Sequence, residues 1–309
     1  MSDTPIMRLG TRRSPLAMAQ AEETRARLCA AHGWDVGAVE LVPVIASGDR
    51  IQDRPLAEIG GKALWTRELD IWLNEGRIDA AVHSMKDVET IRPDALAIGA
   101  ILPRADKADV LLGAASIAAI PAGARVGTSA PRRAAQLLHA RPDLQVVGIR
   151  GNVATRMAKL EAGEADATFL AAAGLMRLGE DNTGTRLDPQ EWLPAPAQAA
   201  IGVECRTSDD RTRELLSAID HEPSRQEVLA ERALLEGLGG TCHSPIAVLT
   251  THEGERLHMR AAIYSPDGSI RVDSEARFEP GDTDEVIALA RDMLREAPRE
   301  VSVNFGQMG

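Results

Sequence analysis

The chain has few cysteines, few aromatic residues and no long hydrophobic run, and each shortage argues against a class of protein. Its three cysteines, Cys29, Cys205 and Cys242, are too few and too dispersed for a disulfide framework or a zinc site. Aromatic residues make up only 3% of the chain, which leaves little material for the base-stacking surfaces of single-strand nucleic-acid binders. No apolar run reaches the roughly 18 residues that a membrane-spanning helix needs.

The charge balance is acidic, because 46 acidic residues face 35 basic ones and leave a formal net charge of −11. Proteins that bind nucleic acid carry a basic stripe, so this balance argues against that class. The first residues lack the basic and apolar regions of a secretion signal, and we therefore expect a cytoplasmic protein with reduced cysteines. A length of 309 residues predicts two domains or three small ones.

Strands and helices alternate in the first 83 residues, and the same alternation returns in the middle of the chain. Strands are predicted over residues 6–11, 39–45 and 79–83, and again over 125–128, 144–149 and 166–171. The first helix begins at Ser14-Pro15, a favourable N-cap followed by a proline at the first helical position. The pattern Leu-x-x-Gly-x-x-Asp-Ala also occurs twice, at 73–80 and 160–167. We therefore predict an α/β fold with two βαβαβ lobes and mostly parallel sheets.

The last third of the chain has a different order of elements. Ser224-x-x-Glu227 has the pattern of a capping box and predicts the start of a helix, which three short strands and a last helix follow. The predicted domains are lobe 1 over residues 1–105 with a return segment at 198–219, lobe 2 over 106–197, and a small α+β domain over 220–309. Residues 46–61 are polar and long enough to form a lid over a cleft.

Arginines cluster where predicted strands end and helices begin. Arg12 and Arg13 precede the first helix, Arg132 and Arg133 lie in the first turn of the equivalent helix, and Arg150 ends a strand. A cation at a helix N-terminus opposes the helix dipole, so this repeated placement favours a bound anion. Guanidinium groups bind carboxylate or phosphate bidentately, and ligands of open α/β sheets lie beyond the carboxyl ends of the strands. The pattern predicts a site for a small polyanion, with solvated surface arginines as the alternative.

Two further segments carry candidate reactive groups. Between His83 and Val88, the adjacent Lys86 and Asp87 stand at a strand end and could transfer protons, and a surface ion pair or a turn explains them equally. Cys242 follows two glycines and is a candidate nucleophile, although a buried, inert cysteine is the commoner case. Walker A, G-x-G-x-x-G, H-E-x-x-H and G-x-S-x-G motifs are missing, which argues against nucleotide kinases, zinc proteases and α/β-hydrolases.

Several of these segments occur together, in a fixed order, in one known family. They are Gly10-Thr11-Arg12-Arg13-Ser14-Pro15-Leu16-Ala17, Gly60-Gly61-Lys62, His83-Ser84-Met85-Lys86-Asp87, Gly127-Thr128-Ser129, Arg132-Arg133, Arg150-Gly151-Asn152-Val153-x-x-Arg156, Ala173-Gly174-Leu175-x-Arg177-Leu178-Gly179, Gly202-Val203-Glu204-Cys205-Arg206 and the turn at Cys242. In these segments, and over nearly its whole length, the chain resembles the porphobilinogen deaminase (hydroxymethylbilane synthase) family.

The resemblance implies a fold and an activity. The first two domains would be like the lobes of type-2 periplasmic binding proteins, with the small C-terminal domain as the third. The enzyme would be a transferase of tetrapyrrole and haem biosynthesis. It would condense four porphobilinogen units head to tail, each with loss of ammonia, and release hydroxymethylbilane by hydrolysis. The chain would grow on a dipyrromethane cofactor joined to Cys242 by a thioether, in a protein expected to be a monomer.

The resemblance also implies the role of each site residue. Asp87 would be catalytic, because it would hydrogen-bond the pyrrole N–H groups and stabilise the cation left when ammonia departs. The cofactor would be held by Cys242, Ser84, Lys86, Asp87, Ser129, Arg132 and Arg133. The substrate would be held by Arg12, Ser14, Lys62, Arg150, Arg156 and Arg177. No metal site, nucleic acid or membrane is expected.

The chain departs from the family pattern at three places. Ala130 and Pro131 replace a serine and a leucine before the arginine pair, Ala197 and Ala199 stand where glycines are common, and Glu58 stands where relatives often carry lysine. A two-lobed polycarboxylate-binding or sensor protein without catalysis would also explain the arginines, but it gives no role to Cys242 or to the third domain. A transferase for phosphorylated metabolites would need a phosphate loop, which the sequence lacks.

Overall fold

The computed structural model of the chain describes residues 4–44, 66–241 and 243–306. The chain clusters into two compact units, one formed by Met1–Ala105 with Ala199–Arg225 and the other by Asp106–Gln198 with Gln226–Gly309. The lid predicted at residues 46–61, Lys62 and Cys242 lie outside the described residues. In the part that is described, no helix combines the length and the apolar character needed to cross a membrane.

The elements are numbered along the described part of the chain. Its strands are β1 (Met7–Arg12), β2 (Val39–Val44), β3 (Ala80–Ser84), β4 (Leu96–Ile101), β5 (Asp109–Leu112), β6 (Arg125–Gly127), β7 (Gln145–Val147), β8 (Ala167–Ala171), β9 (Thr185–Arg186), β10 (Ile201–Arg206), β11 (Ile246–Glu253), β12 (Arg256–Tyr264) and β13 (Arg271–Phe278). Its α-helices are α1 (Pro15–His32), α2 (Arg67–Asn74), α3 (Pro131–Ala140), α4 (Val153–Glu161), α5 (Ala172–Arg177), α6 (Asp210–Ser217), α7 (Glu222–Gly237), α8 (Thr283–Glu296) and α9 (Arg299–Ser302).

The first unit contains a five-stranded sheet in the order β2-β1-β3-β10-β4. The strands β2, β1 and β3 are parallel, and β10 runs antiparallel to both of its neighbours. Helices α1 and α6 pack on one face through Ala21, Leu28 and Leu216, while α2 packs on the other through Leu69 and Leu73. The sheet is therefore covered on both faces, as its largely apolar strands require.

The second unit contains a sheet of the same pattern, in the order β7-β6-β8-β5-β9. The strands β7, β6 and β8 are parallel, and β5 runs antiparallel to β8. The unit also holds the antiparallel sheet β11-β12-β13. One face of this small sheet packs against α7 and α8 through a core that includes Leu234, Phe278 and Met293. Its other face shares a core with Ala135 of α3 and with Leu193.

These sheets confirm the predicted fold class of two α/β lobes with a small C-terminal α+β part. The return strand predicted near residue 200 is β10, which pairs with β3 and β4 of the first sheet. The periodicity of the sequence does not predict β4 and β5, because both are short apolar runs without the alternation that marks a half-buried strand. The prediction that Ser224 is the N-cap of a capping box is wrong, because α7 begins two residues earlier, at Glu222. The Ser224 backbone N–H donates instead to the His221 side chain at 3.3 Å.

The repeated Leu-x-x-Gly-x-x-Asp-Ala pattern has a structural cause in both lobes. In the first, the Arg8 backbone N–H donates to Asp79 Oδ2 at 2.8 Å, and its guanidinium donates to the Gly76 carbonyl at 2.8 Å. In the second, the Arg125 backbone N–H donates to Asp166 Oδ2 at 2.7 Å, and its guanidinium donates to the equivalent glycine carbonyl at 2.9 Å. In each lobe, an arginine of one parallel strand, β1 or β6, therefore fixes the turn that leads into the neighbouring strand, β3 or β8.

The glycine that precedes each strand-end threonine allows a close packing contact. A Cβ added at Gly10 would lie 2.3 Å from Ile78 Cδ1, and one added at Gly127 would lie 2.3 Å from Ile149 Cδ1. Both isoleucines are fully buried, so neither can move aside at low cost. The two lobes therefore need glycine at matching positions of β1 and β6.

Ala197 and Ala199 adopt left-handed backbone conformations, with φ of 56° and 72°. This conformation costs an alanine roughly 1–2 kcal/mol, which glycine avoids. We expect Ala197→Gly to leave the free energy of unfolding within about 0.5 kcal/mol of wild type, because the relieved strain offsets the lost methyl group and the greater freedom of the unfolded chain.

Ala200→Gly is the matched control, because Ala200 is also 2% exposed and has an ordinary backbone conformation. Because Ala200 has no strain to relieve, Ala200→Gly should lower the free energy of unfolding by about 1.5 kcal/mol. Urea denaturation of both variants measures the difference, and equal losses would show that Ala197 is unstrained.

Candidate active site

A cavity of about 60 Å³ opens at the carboxyl ends of β1 and β3 in the first unit. Four of the predicted site residues line it together, namely Arg12, Ser14, Ser84 and Asp87. Its remaining lining residues include Gln20, Thr66 and His83, together with the apolar Leu16, Ala17, Val82 and Val88. The structure therefore brings these four residues together at the edge of the sheet where the ligands of open α/β sheets bind.

The helix that follows β1 fixes the arginine and serine side of this cavity. Arg12 is the last residue of β1, and Ser14 is the N-cap of α1, whose Oγ accepts the Ala17 backbone N–H at 3.3 Å. Ser84 ends β3, where its Oγ accepts from Gln20 Nε2 at 2.8 Å and donates to Gln20 Oε1 at 3.1 Å. The guanidinium of Arg12 thus stands near the positive end of a helix, which is a favourable place for a carboxylate ligand.

Asp87 closes a short 3-10 turn, Met85–Asp87, that follows β3. The Met85 backbone N–H donates to the Ala200 carbonyl at 3.0 Å, and Met85 is only 1% exposed. A Cβ at Gly202 would lie 2.1 Å from Met85 Sδ, so glycine at 202 is what lets Met85 anchor the turn. Asp87 itself is half-buried, and its carboxylate has no hydrogen-bond partner or ion pair within the described residues.

Lys86 is half-buried in the same turn but does not line the cavity. The carboxylate of Asp87 is the only one among the described residues that line it. The arrangement combines a guanidinium and hydroxyl groups, which suit an anionic ligand, with a single carboxylate, which suits a positive charge. It can therefore bind a ligand that carries carboxylates and develops a cation.

The arginine pair of the second unit is buried and paired within the protein. Arg132 and Arg133 are 4% and 5% exposed, and both donate to the carboxylate of Asp109, Arg133 Nη2 at 2.6 Å. Trp192 Nε1 and Gln198 Nε2 donate to the same carboxylate at 2.9 and 3.0 Å. Asp109 thus receives four side-chain donors.

Burial alone would raise the pKa of the Asp109 carboxyl, but the guanidinium groups of Arg132 and Arg133 hold it well below its usual range. Asp109 is fully buried in β5, a strand that the periodicity of the sequence does not predict. The signal in the sequence was an aspartate at the head of the apolar run Asp109-Val110-Leu111-Leu112, since a buried carboxylate demands cationic partners. The Nε atoms of Arg132 and Arg133 remain buried without a partner in the described part of the chain.

The other predicted residues of this unit lie on separate elements. Ser129 Oγ donates to the Ile149 carbonyl at 2.9 Å, and Arg150 is half-buried after β7. Arg156 lies in α4, where its Nε donates to the Gly151 carbonyl at 3.0 Å. Arg177 is the last residue of α5 and is half-buried. The roles assigned to these residues stay predictions.

Comparison with known proteins gives consistent matches over nearly the whole chain. The family model described as porphobilinogen deaminase, dipyromethane cofactor binding domain, matches residues 7–214, and the one described as porphobilinogen deaminase, C-terminal domain, matches residues 225–295. A porphobilinogen deaminase of Sphingopyxis alaskensis is 53% identical over 305 residues, covering 97% of this chain and 96% of that protein. One of Paracoccus denitrificans is 48% identical over 302 residues, with the same coverage of both chains.

Among solved structures, the periplasmic VFT2 domain of Bordetella pertussis BvgS matches 75% of this chain and 94% of its own, at 16% identity and a TM-score of 0.41.

Proposed function

The chain belongs to the porphobilinogen deaminase family, and from that premise we propose how its residues perform the reaction. It is a transferase that deaminates four porphobilinogen units and joins them head to tail into hydroxymethylbilane. A dipyrromethane cofactor serves as the primer. The proposal includes a monomeric chain in the cytoplasm, divided into lobe 1, lobe 2 and a C-terminal domain that carries the cofactor on Cys242.

The observation that most supports the proposed roles of the site residues is a cavity that Arg12, Ser14, Ser84 and Asp87 line together. Each pyrrole of the substrate carries an acetate and a propionate group, which need cationic and hydroxyl partners. Arg12 and Ser14 would bind these carboxylates of the incoming unit, with Lys62, Arg150, Arg156 and Arg177 as the remaining substrate-binding residues. The guanidinium fork is suited to carboxylates because it forms two parallel hydrogen bonds.

The buried arginine pair is suited to a polycarboxylate cofactor. Arg132 and Arg133 share the single negative charge of Asp109, so the cluster keeps a net positive charge, and both Nε atoms lack a partner in the described residues. With Ser84, Lys86, Asp87 and Ser129, these arginines would hold the cofactor. When bound, the dipyrromethane would supply the free pyrrole position to which the first substrate unit is joined.

Asp87 would act on the reacting atoms. Loss of ammonia from porphobilinogen leaves a positively charged azafulvene. The Asp87 carboxylate, which has no partner among the described residues, can accept hydrogen bonds from pyrrole N–H groups and lower the energy of that cation. Arg12 and Ser14 would keep the substrate in place while the charge develops, because they bind groups that do not react.

The test is the intact mass of the protein purified from cells. We expect it to exceed the sequence mass of 33.1 kDa by two pyrrole units. Cys242→Ser should abolish the excess and the turnover, whereas Cys29→Ser, at a half-exposed cysteine on α1, should change neither. Active protein of unmodified mass would contradict the proposal. An unmodified chain that binds polycarboxylates and releases no ammonia would instead be a two-lobed binding protein.

A further inference from the structure

A buried carboxylate lies behind the candidate active site. Glu204, on β10, is fully buried. Arg92 donates to it through Nε at 2.8 Å and through Nη2 at 3.0 Å, which is a two-point contact. On its other side, Glu204 Oε2 lies 3.0 Å from His83 Nε2, a close contact whose geometry falls short of a well-aligned hydrogen bond.

The strand pairing explains how a glutamate comes to point into this position. His83 pairs with Gly202 across the antiparallel strands β3 and β10, so Glu204 lies two residues from that register. The neighbours of Glu204, Val203 and Cys205, join the core on the opposite face. The pairing of β10 with β4 shifts register between Val203 and Glu204, and such an irregularity commonly redirects a side chain near a functional site.

The charges around Glu204 favour its ionised form. Burial would raise the pKa of the Glu204 carboxyl, but His83 and Arg92 outweigh burial and lower it to about 2. Arg92 also donates to Asp70 at 2.5 Å and to Glu89 at 2.7 Å, so that its single charge serves three carboxylates. His83 is therefore the second close partner of Glu204.

Of the side chains in this cluster, His83 lines the cavity itself and Asp70 does not. His83 lines the same cavity as Asp87, directly before Ser84 in the chain. Asp70, on α2, does not line the cavity, although it contacts the same Arg92. A buried ion cluster stabilises a fold little better than apolar residues of the same shape, so its location points to a role in fixing geometry.

We propose that Glu204 is a positioning residue for the reaction, which acts through His83. By holding the imidazole at the cavity wall, it fixes the end of β3 from which the Met85–Asp87 turn departs. Asp87 is then held where the substrate cation develops. The inference rests on the proposed function, and it assigns a role to a motif, Gly202-Val203-Glu204-Cys205-Arg206, that the resemblance alone left without one.

The experiment compares Glu204→Gln with Asp70→Asn in the cofactor-loaded enzyme. We expect Glu204→Gln to lower kcat about tenfold with KM within twofold of wild type, because Arg12 and Ser14 are untouched. Asp70→Asn should lower the thermal midpoint by removing a partner of the same Arg92, with kcat unchanged. Intact mass gives the loaded fraction of each variant, so that kcat refers to loaded protein only.

A double-variant cycle tests whether the effect passes through His83. We expect His83→Gln alone to lower kcat about tenfold, and Glu204→Gln to cause no further loss in that background. Additive losses of kcat in the double variant would overturn the proposal. A wild-type kcat in His83→Gln would also overturn it, and this single variant decides the question even if Glu204→Gln fails to fold. Wild-type kcat with a lowered thermal midpoint in Glu204→Gln would assign Glu204 to stability alone. Failure of the proposed function would instead appear as wild-type protein that releases no ammonia.

Discussion

Replacement of Asp87 by asparagine is expected to lower turnover by roughly 10²–10³-fold while the fold and the cofactor loading stay intact. Removal of one preorganised group that stabilises transition-state charge typically has an effect of this size. The amide keeps the shape and the hydrogen-bonding capacity of one oxygen, but it carries no charge to offset the azafulvene cation. Since the Asp87 carboxylate has no partner in the described residues, its loss leaves no buried group unpaired.

Ammonia release and product formation measure the turnover of this variant, and urea denaturation measures its stability. The stability should stay within about 0.5 kcal/mol of wild type, as for most exposed or half-exposed positions. Asp94→Asn is the control, because Asp94 is an exposed carboxylate a few residues further along the chain. Substrate binding should change little, since the arginines are retained. Near wild-type turnover in Asp87→Asn would remove Asp87 from the catalytic role.

The first-lobe cavity was accessible from the sequence because it depends on local rules. Arg12 and Ser14 follow one strand, and Ser84 and Asp87 end or follow another. The carboxyl ends of parallel neighbours meet at one edge, so the order of elements is enough to bring these residues together. The two lobes could be predicted from the sequence for a similar reason, because the same turn pattern recurs at the same point in the alternation of strands and helices.

The buried charges were not accessible in the same way, because their partners are distant in the sequence. Glu204 and Arg92 are 112 positions apart, and their contact depends on the antiparallel return of β10 into the first sheet. Asp109 and Arg132 are 23 positions apart, but Asp109 lies on a strand that periodicity does not reveal. The arginine pair was therefore predicted as a ligand site alone, whereas the structure adds a protein carboxylate between the two guanidinium groups.

Replacement of Asp109 by asparagine is expected to destabilise the protein by about 3–5 kcal/mol, which is the usual effect of removing one partner from a buried ion pair. Arg132 and Arg133 would then face each other at full burial without a counter-charge, and Trp192 would lose an ionised acceptor. Urea denaturation gives the change in free energy. Asp106→Asn is the matched control, since the Asp106 pair with Arg186 is exposed and is worth about 1 kcal/mol or less.

The same carboxylate makes a pH-dependent contribution to stability. Because the pKa of Asp109 is depressed in the folded state, its contribution is complete above the unfolded value of about 4 and declines as the pH falls below it. Asp109→Asn should therefore lose less stability than wild type between pH 5 and roughly pH 3. A cost below about 1 kcal/mol, or an unchanged acid response, would show that Asp109 does not neutralise the arginine pair. Replacing Asp109, Arg132 and Arg133 together by apolar residues should restore stability, because no unpaired charge would stay buried. Cofactor loading should not return, because the two guanidinium groups that would bind the cofactor carboxylates would be gone.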